Sequence, residues 1–236
     1  MKVAVRGKEF KVFSNAGFWN QVSGGQWEPE TFRYFLKYLD KNHSYVDIGA
    51  WIGPTVMYGC QLSKFCYAIE PDPVAFGVLK ANIALNHFAN VSIHEVAIAD
   101  VDGELEMASP NTSLGDSCTS FLFRGKYAVR VSAMTLHRFF ELNKITDCNF
   151  LKIDTEGAEI LILPSSRELL NELRPTIYLG LHAQSFAQKD AYFGVLIASL
   201  QGIYDGFINA NTGELKRIDE LVSMTGWDNV VLEGKR

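Results

Sequence analysis

The stretch YVDIGAWIGPT, residues 45–55, constrains the fold more than any other part of the chain. Tyr45-Val46-Asp47-Ile48 reads as a strand with an acid inside it. Gly49 and Gly53 break that strand, with Trp51 between them, and Pro54 suits the first turn of a helix. Strand, glycine turn and helix in succession make the ligand cradle of an open α/β sheet, whose ligands sit beyond the carboxyl ends of the strands. The same rhythm continues along the chain. Strands are predicted near 44–48, 65–69, 91–98, 149–154 and 176–182, and helices near 54–63, 73–86, 134–142, 157–163 and 188–201. Apolar strands such as FLKID and TIYLGLH, separated by helical segments, predict a doubly wound, mostly parallel α/β sheet covered on both faces. The last stretch, 203–233, has strand-like pieces around Asn211-Thr212-Gly213 and at Val230-Val231-Leu232, which predict an antiparallel C-terminal closure of the sheet edge.

Residues 1–13 read as two short strands around Arg6-Gly7-Lys8, and 14–28 as loop. Pro29 opens a helix with an apolar stripe through Phe32, Phe35, Leu36 and Leu39. The expected organisation is an N-terminal hairpin, loop and helix (1–43) packed on one compact unit (44–236). With 236 residues, 47% of them hydrophobic, the chain is long enough for one large core. Residues 109–128, SPNTSLGDSCTSFLFRGKYA, interrupt the rhythm. A loop of that length is either plain surface or a binding loop, and the sequence leaves both open.

A net charge of −5 and the absence of any basic run argue against nucleic acid as a partner. The cysteines, Cys60, Cys66, Cys118 and Cys148, form neither a metal-type pair nor a disulfide framework. Reduced thiols, no signal-peptide pattern and no run of about 18 apolar residues make a cytoplasmic protein without a transmembrane segment the expectation. Oligomeric state is not legible.

A dinucleotide site at the glycine turn needs Gly-x-Gly-x-x-Gly, the second glycine for close approach to the pyrophosphate and the third for helix packing. Counted from Gly49, those slots hold Trp51 and Pro54. No Gly-Lys-Ser/Thr follows, which removes a P-loop as well. A ligand with an adenosine but no phosphates does not need those glycines, and S-adenosylmethionine is such a ligand. Glu70, in YAIEPDP, ends the second predicted strand 21 residues after Gly49. Its two oxygens suit a ribose diol. Asp47 is placed to meet the cationic amino group of the methionine moiety, directly or through water, and the glycine turn lets backbone pass beneath the ligand. A lone strand-end Asp is often a helix cap, and a Glu before Pro-Asp-Pro can sit in a solvated turn. The pair, on consecutive strand ends, is what points to a nucleoside.

Four stretches then resemble the FkbM family of S-adenosylmethionine-dependent methyltransferases: VDIGAWIGPT (46–55), AIEPDPVAFGVLKANIALN (68–86), IHEVAIAD with the following DG (93–103), and LKIDTEGAE (151–159). LGLH (179–182) adds weaker support. The resemblance implies a class I methyltransferase (Rossmann-like) fold and methyl transfer, usually to a hydroxyl oxygen of a small molecule, sugar or glycolipid. Trp51 stands where family members often carry Asn. Within these stretches the expected cofactor contacts are Asp47, Gly49, Ala50, Trp51, Gly53, Glu70, Pro71 and Ala97.

Methyl transfer from a sulfonium is an in-line displacement, so the protein mainly aligns the acceptor and offers its proton a base. Of the five histidines only His182 falls at a predicted strand carboxyl end, and its unperturbed pKa lies near 6.5. Asp154 ends NFLKID at the sheet centre. Asp154 and His182 are the expected catalytic residues, though an ordinary hydrogen-bonded histidine and an amine-anchoring Asp154 fit equally. Lys152 is expected to pair with Asp154. Glu156 is placed nearer the pocket than Glu159. Asp154, Glu156 and His182 together suggest a metal, but no ligand spacing demands one, and none is expected. Trp19 and Trp27 are expected to bury against the core rather than cover the ligand. The competing readings are a nicotinamide-dependent oxidoreductase, which Trp51 and Pro54 oppose, and a non-catalytic cofactor- or glycan-binding module.

Overall fold

A computed structural model describes residues 1–234 apart from 14, 111, 112, 123, 125 and 126. The chain begins with an antiparallel hairpin, β1 (Lys2–Val5) and β2 (Lys8–Lys11), and two helices, α1 (Ala16–Ser23) and α2 (Pro29–Tyr38). The alternating region follows: β3 (Ser44–Ile48), α3 (Pro54–Gly59), β4 (Phe65–Ile69), α4 (Pro73–Asn86) and β5 (Val91–His94). A three-stranded sheet comes next, from β6 (Ala97–Ala99), β7 (Gly103–Met107) and β8 (Val129–Thr135). The chain then runs through α5 (Leu136–Asn143), β9 (Cys148–Ile153), α6 (Glu159–Ser165), α7 (Arg167–Leu173), β10 (Thr176–Gly180) and α8 (Lys189–Leu200). It ends with β11 (Gly206–Asn209), β12 (Leu215–Arg217) and β13 (Asn229–Leu232).

The main sheet has the order β5-β4-β3-β9-β10-β13-β11-β12. Its first five strands are parallel, and β13 runs antiparallel between β10 and β11. The antiparallel C-terminal closure is therefore present, with β13 inserted one place inward and β12 as the outer strand. From β3 the chain winds outward through β4 and β5, and it returns on the other side through β9 and β10. The β3/β9 junction is thus the topological switch point, where such sheets bind ligands.

Alternation along the strands builds two cores, because successive side chains point to opposite faces. Val46, Ile48, Leu151, Ile153, Ile177 and Leu179 pack on one face with α5, α6 and α8. Tyr45, Phe150 and Tyr178 face the other way, against Phe32 and Phe35 of α2. The N-terminal segment therefore covers one face of the sheet.

Several expected boundaries are corrected. Residues 16–23 form α1 rather than loop. The Asn15 side chain accepts from the Phe18 N–H as a cap, and Trp19 and Val22 bury one face. The predicted strand 91–98 divides, its first half ending the main sheet as β5 and its second pairing with β8 as β6. β7, β8 and α7 were not expected. Leu36 is half exposed rather than part of the α2 core stripe.

Candidate active site

The carboxyl ends of β3, β4, β9 and β10 and the start of β13 open into one cleft of ≈ 1240 Å³, its open mouth included. Gly49, Ala50, Trp51, Glu70, Pro71 and Ala97 line it, as do Asp154 and His182. Its far wall comes from the 109–128 stretch, through Asp116, Ser117, Thr119, Ser120 and Phe121. That wall is tied down: Asp72 caps α4 through Oδ1, and its Oδ2 accepts from the Gly115 N–H at 2.6 Å and the Thr119 hydroxyl at 3.0 Å. The Trp51 indole N–H donates to the Gly115 carbonyl at 3.0 Å. The indole in the glycine turn is thus a strut between the turn and the binding loop.

At one end of the cleft lies Glu70. Its Oε2 accepts from the Trp51 N–H at 2.7 Å and its Oε1 from the Asp72 N–H at 2.8 Å. Each oxygen keeps a further lone pair. Burial pushes this carboxyl up to about 7, although the two backbone donors pull it down. The turn beside it admits only glycine at position 49. There φ is +81°, and a Cβ would stand 1.8 Å from the Asp154 carbonyl oxygen.

At the other end Asp154, Glu156 and His182 converge. His182 Nδ1 lies 3.0 Å from Glu159 Oε1, and Glu159 is wholly buried. Glu159 also accepts from the Thr155 N–H and hydroxyl, at 3.0 Å each. His182 Nε2 therefore points into the cleft, 3.5 Å from Asp154 Oδ1 and 3.7 Å from Glu156 Oε1. Burial alone would lower the His182 pKa, but Glu159, Asp154 and Glu156 outweigh it and hold the imidazolium up to about 10. The ordinary titration near 6.5 expected for a histidine base is corrected by these three carboxylates. Burial would raise Asp154, yet Lys152 and His182 hold it below the usual carboxylate range. Glu156, at φ +54°, is turned toward the cleft, and burial pushes it up to about 7. Ligand-type atoms of Asp154, Glu156 and His182 lie within 4.8 Å of one another, a spacing able to hold a metal ion.

Two expected cofactor residues are not brought to the cleft wall. Asp47 is wholly buried beneath the floor. It sits beside Lys152 in the β3/β9 register, and the Lys152 ammonium lies 3.3 Å from its carboxylate, blocking direct contact with a ligand amine. Lys152 reaches Asp154 Oδ2 at 3.2 Å, the expected pair, and donates to the Gly49 carbonyl at 2.9 Å. Gly53 instead serves helix packing: a Cβ there would stand 2.7 Å from Leu79 Cδ1. Trp19 is buried in the core, whereas Trp27 lines the cleft.

Sequence reasoning missed Glu28 and Trp227. Burial pushes Glu28 up to about 7, with Asp154 adding to the shift, and Thr31 donates to it at 2.9 Å. Its only sequence signal is its place before the helix-opening Pro29. Trp227 stands exposed at the cleft mouth, edge-on to His182 with ring centroids 5.8 Å apart.

A switch-point cleft with a buried acid at the end of the second parallel strand and a polar cluster at the end of the fourth defines a class I methyltransferase architecture. Residues 47–207 match the methyltransferase FkbM domain, and the chain belongs to that family. Among solved structures, methyltransferase FkbM from Methylobacillus flagellatus KT superposes with a TM-score of 0.51 at 14% identity, over 93% of this chain and 55% of that one. This chain thus spans about half the length of that relative. M. jannaschii TYW2 in complex with AdoMet gives a TM-score of 0.47 at 16% identity, over 99% and 84% of the two chains. SMU.1697c, a putative methyltransferase from Streptococcus mutans in complex with SAH, gives 0.48 at 10% identity, over 87% and 96%. No curated protein matches the chain in sequence. The methyl donor of the family is S-adenosylmethionine. The cleft fits it, with free lone pairs on a buried carboxylate for a diol and a glycine-only turn beside it. Among the described residues no helix is long and apolar enough to cross a membrane.

Proposed function

We propose that this S-adenosylmethionine-dependent methyltransferase methylates a hydroxyl oxygen of a small molecule, sugar or glycolipid. The observation that carries the reading is one cleft with two chemically distinct ends, Glu70 at one and Asp154, Glu156 and His182 at the other. When bound, the donor supplies a methyl group on a sulfonium, already attached to a good leaving group.

Glu70 accepts the two ribose hydroxyls with the lone pairs that Trp51 and Asp72 leave free. Gly49, Ala50, Pro71 and Ala97 shape the nucleoside end, and Trp51 holds the binding loop against it. Asp47 acts at one remove, by neutralising Lys152. Glu28, on the same cleft wall, offers a carboxylate for the methionine amine in its place. Asp154 accepts the hydrogen bond of the acceptor hydroxyl and takes its proton as the new C–O bond forms. His182, locked by Glu159, fixes the acceptor oxygen from the opposite side. The acidic cluster draws a neutral or cationic acceptor more readily than a polyanion, which supports a small-molecule or glycan acceptor over nucleic acid.

Transfer of a labelled methyl group to a panel of hydroxylated small molecules and glycosides tests this reading. Asp154→Asn should lower the single-turnover rate by about a hundredfold or more. An equal rate in that variant removes Asp154 from the step, and label on nitrogen or carbon alone removes the hydroxyl acceptor.

A further inference from the structure

We propose that Asp154 Oδ1, Glu156 Oε1 and His182 Nε2 are ligands of a divalent transition-type cation. The three atoms come from the carboxyl ends of β9 and β10, within 4.8 Å of one another, and all face the cleft. Among the described residues none of them makes a hydrogen bond. The Nε2 separations, 3.5 Å to Asp154 and 3.7 Å to Glu156, exceed the roughly 3.2 Å limit of a good N–H···O bond. They match two ligands on one ion: with bonds of about 2.1 Å, atoms at a tetrahedral angle stand roughly 3.4 Å apart.

The surroundings prepare these atoms for that task. The His182 side chain is only 7% exposed, yet its Nε2 is aimed into the cleft between two carboxylates. Its Nδ1 faces the buried Glu159 carboxylate, which accepts the ring N–H and leaves Nε2 as the ring atom directed at the proposed ion, where the binding cation displaces its proton. A carboxylate behind a ligating imidazole is the usual way a protein fixes tautomer and orientation at a metal. Gly180 leaves room for the approach, since a Cβ there would stand 2.8 Å from Asp154 Oδ1 and 3.2 Å from His182 Cε1. Lys152 holds only Oδ2 of Asp154, and its charge is matched by the buried Asp47.

The donor set selects the class of ion. One imidazole with two carboxylates suits Mn²⁺ or Zn²⁺ better than Ca²⁺ or Mg²⁺, which favour oxygen alone. Three protein ligands leave coordination positions open toward the cleft, as in catalytic rather than structural sites. If the function proposed above holds, and this part rests on it, the acceptor hydroxyl takes an open position, the ion lowers its pKa, and its proton passes to the Asp154 carboxylate as the C–O bond forms.

The test is direct. Protein freed of metal by a chelator is titrated with Mn²⁺ alone, followed by calorimetry and by the electron paramagnetic resonance of the ion. One ion per chain is expected, with a rise in melting temperature. Glu156→Gln, nearly isosteric, should weaken binding at least tenfold and abolish the rise, with His182→Gln as a second variant. Glu104→Gln, on the exposed face of β7, should change nothing. Failure of wild-type protein to bind Mn²⁺ overturns the proposal, as does equal binding in both variants. Methyl transfer by chelated protein with no Mn²⁺ bound would sink the metal and leave the transferase standing. Binding without transfer would do the reverse.

Discussion

Replacing Glu70 by Gln separates cofactor recognition from stability. In the wild type both carboxylate oxygens accept a backbone N–H, and each has a lone pair left for a ribose hydroxyl. Glutamine keeps one acceptor and turns an NH₂ group toward the other donor. Two hydroxyls lose a charged acceptor, so affinity for S-adenosylmethionine should fall at least tenfold, about 1.4 kcal/mol. The same buried group makes binding depend on pH. Its pKa is about 7 in the free protein, and hydroxyls that donate to the ionised form should lower it on binding. Wild-type affinity should therefore weaken as pH falls below about 7, by up to tenfold per unit, and the variant should lack that slope. The stability effect has the opposite sign. A carboxyl raised from 4.5 to about 7 favours the folded state when protonated, so its contribution is present below 4.5 and lost as pH rises toward 7. Between pH 5 and 8 the stability difference, wild type minus Glu70→Gln, should fall by about 2–3 kcal/mol. Calorimetric titration with S-adenosylhomocysteine and denaturant unfolding at both pH values measure the two effects. Unchanged affinity in a folded variant would refute the ribose assignment, and a pH-independent stability difference would refute the buried-acid argument.

Lys152→Met leaves Asp47 as an uncompensated buried charge and should cost about 3–5 kcal/mol in denaturant unfolding; a loss below about 1 kcal/mol would mean that Asp47 is not held by this pair. Gly49→Ala meets both a positive φ and the Asp154 carbonyl 1.8 Å from the new Cβ. Conformational strain alone is worth about 1–3 kcal/mol, so a lower melting temperature and lost cofactor binding are expected, and wild-type values for both would contradict the close approach. Deleting residues 113–118 removes Gly115, a partner of both Trp51 and Asp72, and should weaken cofactor binding with only a small fall in melting temperature; a large fall would make this segment part of the core rather than of the site.

The parts legible in the sequence were those whose signal is local. β3, β4, α4 and β10 each combine a period with a glycine or proline boundary, and Glu70 stands at a strand end next to Pro71. What was hidden depends on tertiary partners. The 91–98 run is continuous in hydrophobicity, and nothing local shows that its two halves pair with different strands. The composition around Trp19 reads as loop, whereas burial of Trp19 and Val22 and the Asn15 cap make a helix of it. Asp47 had the right residue type for a ligand amine, but Lys152 lies beside it in the β3/β9 register, and no spacing within either strand reveals that. The carboxylates that raise His182 stand 23 to 28 positions away along the chain and meet it only across β9 and β10. Glu28 reaches the cleft from the N-terminal segment, outside every stretch that carried a motif.

The most direct test of the account is a crystal structure with S-adenosylhomocysteine bound. The account predicts both ribose hydroxyls within hydrogen-bond distance of the Glu70 carboxylate, the adenine against the wall tied to Asp72, and the sulfur facing Asp154 and His182 with open space beyond it. A ligand whose ribose lies away from Glu70, or whose sulfur points away from the Asp154 and His182 cluster, would contradict it.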